Sequence, residues 1–195
     1  MAEVMLFHHV LGVTDGVGAL ADELRAAGHT VHTPDLFDGA TFATIEDGAA
    51  NAEGIGFPVL IERGMTAADA VAGPLVPMGI SLGVLSAQAV AQTRAGVPGA
   101  ILLEGCVPPS EFGEGWPDGV AVQVQGMADD PFFAGEGDLE VARELVAAVA
   151  PTARAELHVH PGDGHLFLDR STPAWDEPAA TAAVAAMIDF LAVLG

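Results

Sequence analysis

Lysine is absent from this sequence of 195 residues, and only six arginines stand against 27 aspartates and glutamates. The formal net charge is −21. A surface with that charge repels nucleic acids and anionic membranes, so neither is an expected partner. The acidity is compatible with a simple solubility effect or with adaptation to high salt, where screening relieves self-repulsion.

Cysteine occurs only once, as Cys106. This excludes an intrachain disulfide and any zinc site built from several cysteines, and the thiol is expected to be buried and inert. Histidines alternate at His158 and His160 and are adjacent at His8 and His9. No carboxylate or cysteine has a fitting spacing around them, so no metal site is predicted.

Long apolar runs are also missing, although 51% of the residues are hydrophobic. No stretch of about 18 or more residues is free of charges and turn residues, so no membrane-spanning helix is predicted. Residues 1–7 lack the basic segment and the cleavage site of a secretory signal, and a cytoplasmic location is therefore expected.

Short apolar or β-branched segments alternate with helical patterns along the chain. Strands are predicted at 4–8, 30–33, 75–78, 100–103, 120–125 and 155–160. Helices are predicted at 17–27, 82–95, 139–150 and 178–194, with one or two weaker helices in 44–72 and a surface loop at 107–119. The alternation predicts a single α/β domain over residues 1–195, with about six mostly parallel strands, helices on both faces and no large cap domain.

The strongest motif is the pentapeptide Gly79-Ile80-Ser81-Leu82-Gly83, a G-x-S-x-G pattern. One predicted strand comes directly before it and one predicted helix directly after it, which is the setting of a nucleophile elbow. Such a turn exposes the serine hydroxyl above the sheet, and the helix N-terminus stabilises negative charge there. Ser81 is therefore the candidate nucleophile.

A serine nucleophile needs a base, and the base needs an orienting acid, in the chain order nucleophile, acid, histidine. His165 ends a glycine-rich turn after the last predicted strand and is the candidate base. Asp129 and Asp130 both follow the strand predicted at 120–125, and Pro131 restricts Asp130 to an extended conformation. Position along the chain leaves the choice between the two aspartates open.

Nearly the whole chain resembles the dienelactone hydrolase family of α/β-hydrolases. The likeness rests on the elbow and on the segments 7–13, 28–37, 130–132 and 164–167. The resemblance implies a catalytic triad of Ser81, Asp130 and His165, because that family usually has an aromatic residue, here Phe132, two positions after the acid. It further implies an oxyanion hole made by the backbone N–H groups of Leu82 and Val10.

The resemblance implies hydrolysis of a small ester or lactone through an acyl-enzyme, a reaction that needs no cofactor. The expected state of the protein is a monomer or homodimer. The family's best-known members have a cysteine nucleophile, a glutamate at the position of His9 and arginines that hold an anionic lactone, so their substrate is not implied here. Side chains expected around the pocket are His9, Leu11, Phe132, Phe167 and Arg170. The alternatives are a general carboxylesterase or thioesterase with the same triad, and a catalytically silent binding protein of the same fold.

Overall fold

Six strands form one sheet in the computed structural model, which describes residues 1–194. The strands are β1 (Glu3–Phe7), β2 (Thr30–His32), β3 (Val76–Ile80), β4 (Gly99–Leu103), β5 (Ala121–Met127) and β6 (Ala155–His160). Their order is β2-β1-β3-β4-β5-β6, and all neighbouring strands are parallel. The predicted α/β class is confirmed.

Six α-helices cover this sheet within residues 1–194. They are α1 (Asp15–Ala26), α2 (Ile45–Ile55), α3 (Phe57–Asp69), α4 (Gly83–Thr93), α5 (Asp138–Val149) and α6 (Glu177–Ala192). The weakly patterned region 44–72 forms two helices because Gly56 adopts a φ of 95° between α2 and α3, a conformation that favours glycine. None of the helices in the described part of the chain is long and apolar enough to cross a bilayer.

The hydrophobic core has two halves, one on each face of the sheet. Along β1, Val4 and Leu6 belong to the half that includes residues of α1 and α6, whereas Met5 and Phe7 belong to the half that includes residues of α3, α4 and α5. Successive side chains of a strand point to opposite faces, so a strand covered on both sides is apolar at every position. This explains the continuous apolar runs in the sequence.

The strand order reverses between β1 and β3. From β1 the chain passes to β2 at the edge of the sheet and then returns to β3 on the other side of β1. In open parallel sheets, ligands bind beyond the carboxyl ends of the strands at such a point. A Cβ atom on Gly83 would lie 2.3 Å from the carbonyl oxygen of Phe7, so the turn after β3 lies directly against the end of β1.

Candidate active site

Ser81 follows β3 in a sharp turn and has a φ of 50°, in the left-handed region that non-glycine residues rarely adopt. Its backbone N–H donates to the carbonyl of Leu103 at the end of β4, with a distance of 2.7 Å. Helix α4 begins two residues later at Gly83. The turn therefore holds the Ser81 side chain at the carboxyl edge of the sheet, above the first turn of a helix.

The two glycines of the elbow are required by close backbone contacts. A Cβ atom on Gly79 would lie 2.3 Å from the carbonyl oxygen of Gly83, and one on Gly83 would meet the carbonyls of Phe7 and His8. Any larger residue at either position would separate α4 from β1 and β3. The G-x-S-x-G spacing thus has a steric cause in this chain.

His165 lies in the loop after β6, with its Nε2 atom 2.9 Å from Ser81 Oγ. The loop is fixed to the neighbouring strand because the N–H of Gly164 donates to Met127 Sδ at 3.2 Å. The ring of Phe132 packs at 4.5 Å, centroid to centroid, against the imidazole. Ser81 and His165 are 84 residues apart in sequence, and the parallel sheet brings them to the same edge.

The carboxylate beside His165 is that of Asp130. Its Oδ2 atom is 2.8 Å from His165 Nδ1, and its Oδ1 atom accepts the N–H of Phe132 at 2.8 Å. Asp130 is fully buried, whereas Asp129 is exposed. With Nδ1–H donating to Asp130, Nε2 is left to accept the proton of the Ser81 hydroxyl.

Two backbone N–H groups that the resemblance assigns to an oxyanion hole flank the elbow. Leu82 directly follows Ser81 and precedes α4, and Val10 lies in the loop between β1 and α1. Neither N–H group donates to a protein acceptor within residues 1–194. Both are therefore available to an oxygen atom of a bound ligand.

His9 is fully buried. Its Nδ1 atom accepts the N–H of Leu11 at 3.2 Å, and its Nε2 atom is 2.8 Å from Asp169 Oδ2. The same carboxylate oxygen accepts the hydroxyl of Thr14 at 2.5 Å, and Thr14 is the N-cap of α1. His9 thereby ties the loop that contains Val10 to the loop that follows His165.

The charge of Asp169 is well stabilised in this position. Burial alone would raise the pKa of Asp169, but hydrogen bonds from His9, Ser171 and Thr14 lower this pKa far below its ordinary range. A carboxylate that accepts several hydrogen bonds favours its ionised form. The ion therefore acts as a fixed connection between the two loops of the site.

Glu104 is a third buried carboxyl near the site, after Asp130 and Asp169, and sequence reasoning missed it. It directly follows β4, has a φ of 58° and is 2% exposed. Its Oε1 atom accepts the N–H of Phe167 at 2.8 Å, whereas Oε2 has no hydrogen-bond partner among the described residues. Burial raises the pKa of Glu104 well above its ordinary value, and the charges of Asp130 and Asp169 raise it further.

A cavity of about 320 Å³ opens beside His165. Its apolar lining consists of Leu11, Phe42, Ala43, Ile45, Leu166, Pro173 and Ala174, and its polar lining of Thr14, His165, Ser171 and Thr172. Of the residues expected around the pocket, Leu11 lines this cavity and Phe132 packs on His165. The segments 42–45 and 171–174 were not among the predicted site residues.

Three residues expected around the pocket lie elsewhere. His9 is held in the buried contacts described above, and Phe167 is fully buried with its ring 5.4 Å from that of His160. Arg170 is exposed and lines surface hollows beside α1 and α6. Arg170 is the first exposed residue after the buried segment 165–169, and it does not line the cavity beside His165.

His158 and His160 have structural contacts, and the single cysteine is unreactive. His160 Nε2 is 2.9 Å from Gln125 Oε1, and His158 Nε2 is 3.1 Å from Glu156 Oε2. Burial raises the pKa of the Cys106 thiol to about 12, so a thiolate does not form there at neutral pH. Residues 1–194 contain no group of three or more His, Cys, Asp or Glu side chains that could hold a metal ion.

Comparison with known families gives one match that spans the described chain. The family model of the dienelactone hydrolase family matches residues 1–194. No curated protein matches the sequence significantly.

Solved structures share the fold at low sequence identity. A proposed dienelactone hydrolase from Klebsiella pneumoniae subsp. pneumoniae is 17% identical with a TM-score of 0.75, over 98% of this chain and 87% of that one. A dienelactone hydrolase-like promiscuous phosphotriesterase from metagenomic libraries is 18% identical with a TM-score of 0.71, over 100% and 87%. A cold-adapted esterase from an Arctic intertidal metagenomic library is 16% identical with a TM-score of 0.63, over 97% and 83%. These likenesses show the α/β-hydrolase fold.

Proposed function

We infer the reaction of this site from the premise that the chain belongs to the dienelactone hydrolase family and is an ester-cleaving hydrolase. We propose that it hydrolyses a small ester or lactone through an acyl-enzyme on Ser81. In this proposal His165 is the general base and acid, and Asp130 orients His165 and stabilises its protonated form. The backbone N–H groups of Leu82 and Val10 bind the oxyanion.

The reaction has two halves. In the first, Ser81 Oγ forms a bond to the acyl carbon while its proton passes to His165 Nε2, and the bond to the alcohol oxygen then breaks as that oxygen receives the proton. In the second, a water molecule gives a proton to His165 and adds to the acyl carbon. The bond to Ser81 breaks, the proton returns to Oγ, and the carboxylic acid leaves.

The observation that carries the proposal is the unbroken chain of contacts from Ser81 through His165 to Asp130, with distances of 2.9 Å and 2.8 Å. Asp130 is 0% exposed, and within residues 1–194 His165 is the one basic side chain in contact with its carboxylate. A buried carboxylate in this position stabilises the imidazolium that forms when Ser81 loses its proton. His9 cannot replace His165 as the base, because both its ring nitrogens are engaged with Leu11 and Asp169.

Intact-mass labelling with a fluorophosphonate tests the proposal. The wild-type protein should gain one adduct, because an activated serine attacks phosphorus as it attacks an acyl carbon. Ser81→Ala and His165→Ala should both lose the adduct. Ser110→Ala, which removes an exposed hydroxyl in the short 3-10 helix Pro109–Glu111, should be labelled like the wild type.

The result that would overturn the proposal is a folded wild-type protein that stays unlabelled. In that case the chain would be a binding protein of this fold that has lost catalysis. Labelling that persists in Ser81→Ala would show that the reactive hydroxyl belongs to another residue, and it would also overturn the proposal.

A further inference from the structure

The cavity beside His165 lies on the imidazole side of the elbow: Ser81 does not line it, and Ser81 Oγ lies 2.9 Å from Nε2 of the His165 ring that does. His165 lines it, whereas Val10 and Leu82, whose N–H groups flank the elbow, do not. In acyl transfer the histidine delivers its proton to the leaving oxygen, so the leaving alcohol departs on the histidine side. A cavity bounded by His165 is thus positioned for the alcohol portion of an ester rather than for the acyl oxygen.

The walls of the cavity are apolar and held in place. Phe42 forms one wall, and its backbone N–H donates to the carbonyl of Leu11 at 3.0 Å, which fixes this wall to the loop after β1. Its ring packs edge to face on Phe37 at 6.1 Å. The volume of about 320 Å³ lies at the lower end of the range of about 300–1,000 Å³ for small-molecule sites.

No aspartate, glutamate, lysine or arginine lines this cavity within the described residues. The sequence has no lysine, and five of the six arginines have partners elsewhere. These are Arg25 with Asp22, Arg63 with Asp38, Arg94 with the Val71 carbonyl, Arg143 with Glu140, and Arg154 with Glu156.

The sixth arginine, Arg170, faces the hollows beside α1 and α6. An anionic group in the cavity would therefore lose its hydration without gaining a cation. It would also meet the field of a protein with a net charge of −21.

We propose, on the basis of the serine hydrolase reaction above, that this cavity binds the alcohol portion of the ester and selects an uncharged, apolar alcohol. Phe42, Ile45 and Leu166 supply the apolar contacts. Each methylene group that they cover should raise kcat/KM about fourfold.

Two acetate esters of nearly equal size and intrinsic reactivity test the proposal, namely 4-methylpentyl acetate and the anion 4-acetoxybutanoate. The wild type should cleave the neutral ester with a kcat/KM at least about tenfold higher. Ala43→Arg, at an exposed position of the cavity, should lower that preference by about tenfold because it places a cation near the carboxylate. Ala70→Arg makes the same charge change at the exposed end of α3 and should leave the preference within about twofold.

A second variant tests the apolar wall. Phe42→Ala should reduce the preference for 4-methylpentyl acetate over methyl acetate, while Phe42→Leu should largely retain it, because leucine keeps an apolar wall. The order of rates among methyl esters of longer acids should not change in either variant. Phe57→Ala, which removes an exposed phenylalanine at the start of α3, is the matched control.

Equal rates for the neutral and anionic esters, or equal effects of Ala43→Arg and Ala70→Arg, would overturn the assignment of the cavity. The assignment would also be overturned if Phe42→Ala changed the order of rates among methyl esters of different acids but not among acetates of different alcohols. Methyl acetate hydrolysis and fluorophosphonate labelling separate this failure from a failure of the reaction itself. If both are absent, the reaction proposed for Ser81 is wrong, and the alcohol site is wrong with it.

Discussion

Glu104→Gln should make the protein more stable at neutral pH. Glutamine has nearly the same shape as glutamic acid but does not ionise. The carboxyl is 2% exposed, with Oε1 bound to the N–H of Phe167 and Oε2 without a partner. Burial raises its pKa well above the ordinary 4.5. Folding therefore keeps a proton on Glu104 that the unfolded chain releases, whereas glutamine carries no such proton.

The size of the effect depends on pH in a defined direction. Below the pKa of 4.5 that Glu104 has when unfolded, both states hold the proton and the cost vanishes. As the pH rises above this value, the folded protein loses about 1.4 kcal/mol of stability per pH unit until the raised pKa of the folded state is reached. The stability gained by Glu104→Gln should grow with the same slope and then become constant.

Urea unfolding of both proteins at half-unit steps from pH 4.5 to 8 measures this difference directly. Glu62→Gln, at an exposed position of α3, is the control and should change the unfolding free energy by no more than about 0.5 kcal/mol at any pH. Since glutamine retains an oxygen acceptor for Phe167, kcat should stay within about threefold of the wild type. A difference between Glu104→Gln and wild type that does not vary with pH would show that Glu104 is ionised in the folded protein and would refute the reasoning.

Two further predictions concern the other carboxylates. Asp130→Asn should lower kcat by about 10³–10⁴-fold because an amide stabilises the wrong tautomer of His165, whereas the exposed Asp129→Asn should have little effect; equal losses in ester hydrolysis assays would contradict the assignment. Asp169→Asn should lower the unfolding free energy by about 2–4 kcal/mol, because several buried donors lose a charged acceptor. The low pKa of Asp169 in the folded state stabilises the protein above the ordinary pKa of this group, so the deficit of Asp169→Asn should shrink as the pH falls below about 4. A deficit that stays constant in urea titrations down to pH 3 would be the contrary result.

The central strands β3 and β4 could be predicted from the sequence because all of their residues are buried and none is polar. The strand predicted at 155–160 matches β6, in which apolar and polar residues alternate. The strand predicted at 120–125 begins one residue before β5 (Ala121–Met127) and ends two residues before it. The extension follows from pairing, since Met127 lies opposite His160 in the ladder with β6. The hydrophobic pattern of one segment does not show which strand pairs with it, so this extension could not be predicted.

The site could be predicted where a local sequence motif marks it, but not where it depends on contacts between residues that are distant in sequence. The steric demands of the elbow appear as glycines around Ser81, whereas the contact of His9 with Asp169 joins residues 160 positions apart. Asp129 and Asp130 are neighbours in the same loop, and they differ in whether the side chain points toward His165 or toward solvent. Pro131 alone does not determine that direction. Glu104 carried one unused signal, a charged residue immediately after the apolar strand β4, at the same edge as Ser81.

Within residues 1–194, four non-glycine residues have a positive φ, and three of them lie in this site: Ser81, Glu104 and Leu166, with φ between 50° and 68°. Each conformation costs about 1 kcal/mol or more, a cost that glycine would largely avoid. Leu166 is buried in the core and Glu104 accepts a buried hydrogen bond, so glycine at these two positions would lose more stability than the relieved backbone strain returns. Directed evolution that selects only for heat resistance should therefore favour glycine at Ser81, where the proposed reaction would be lost. A library of this protein screened for thermostability needs a simultaneous screen for turnover, because the gain in stability and the loss of the reaction are expected at the same residue.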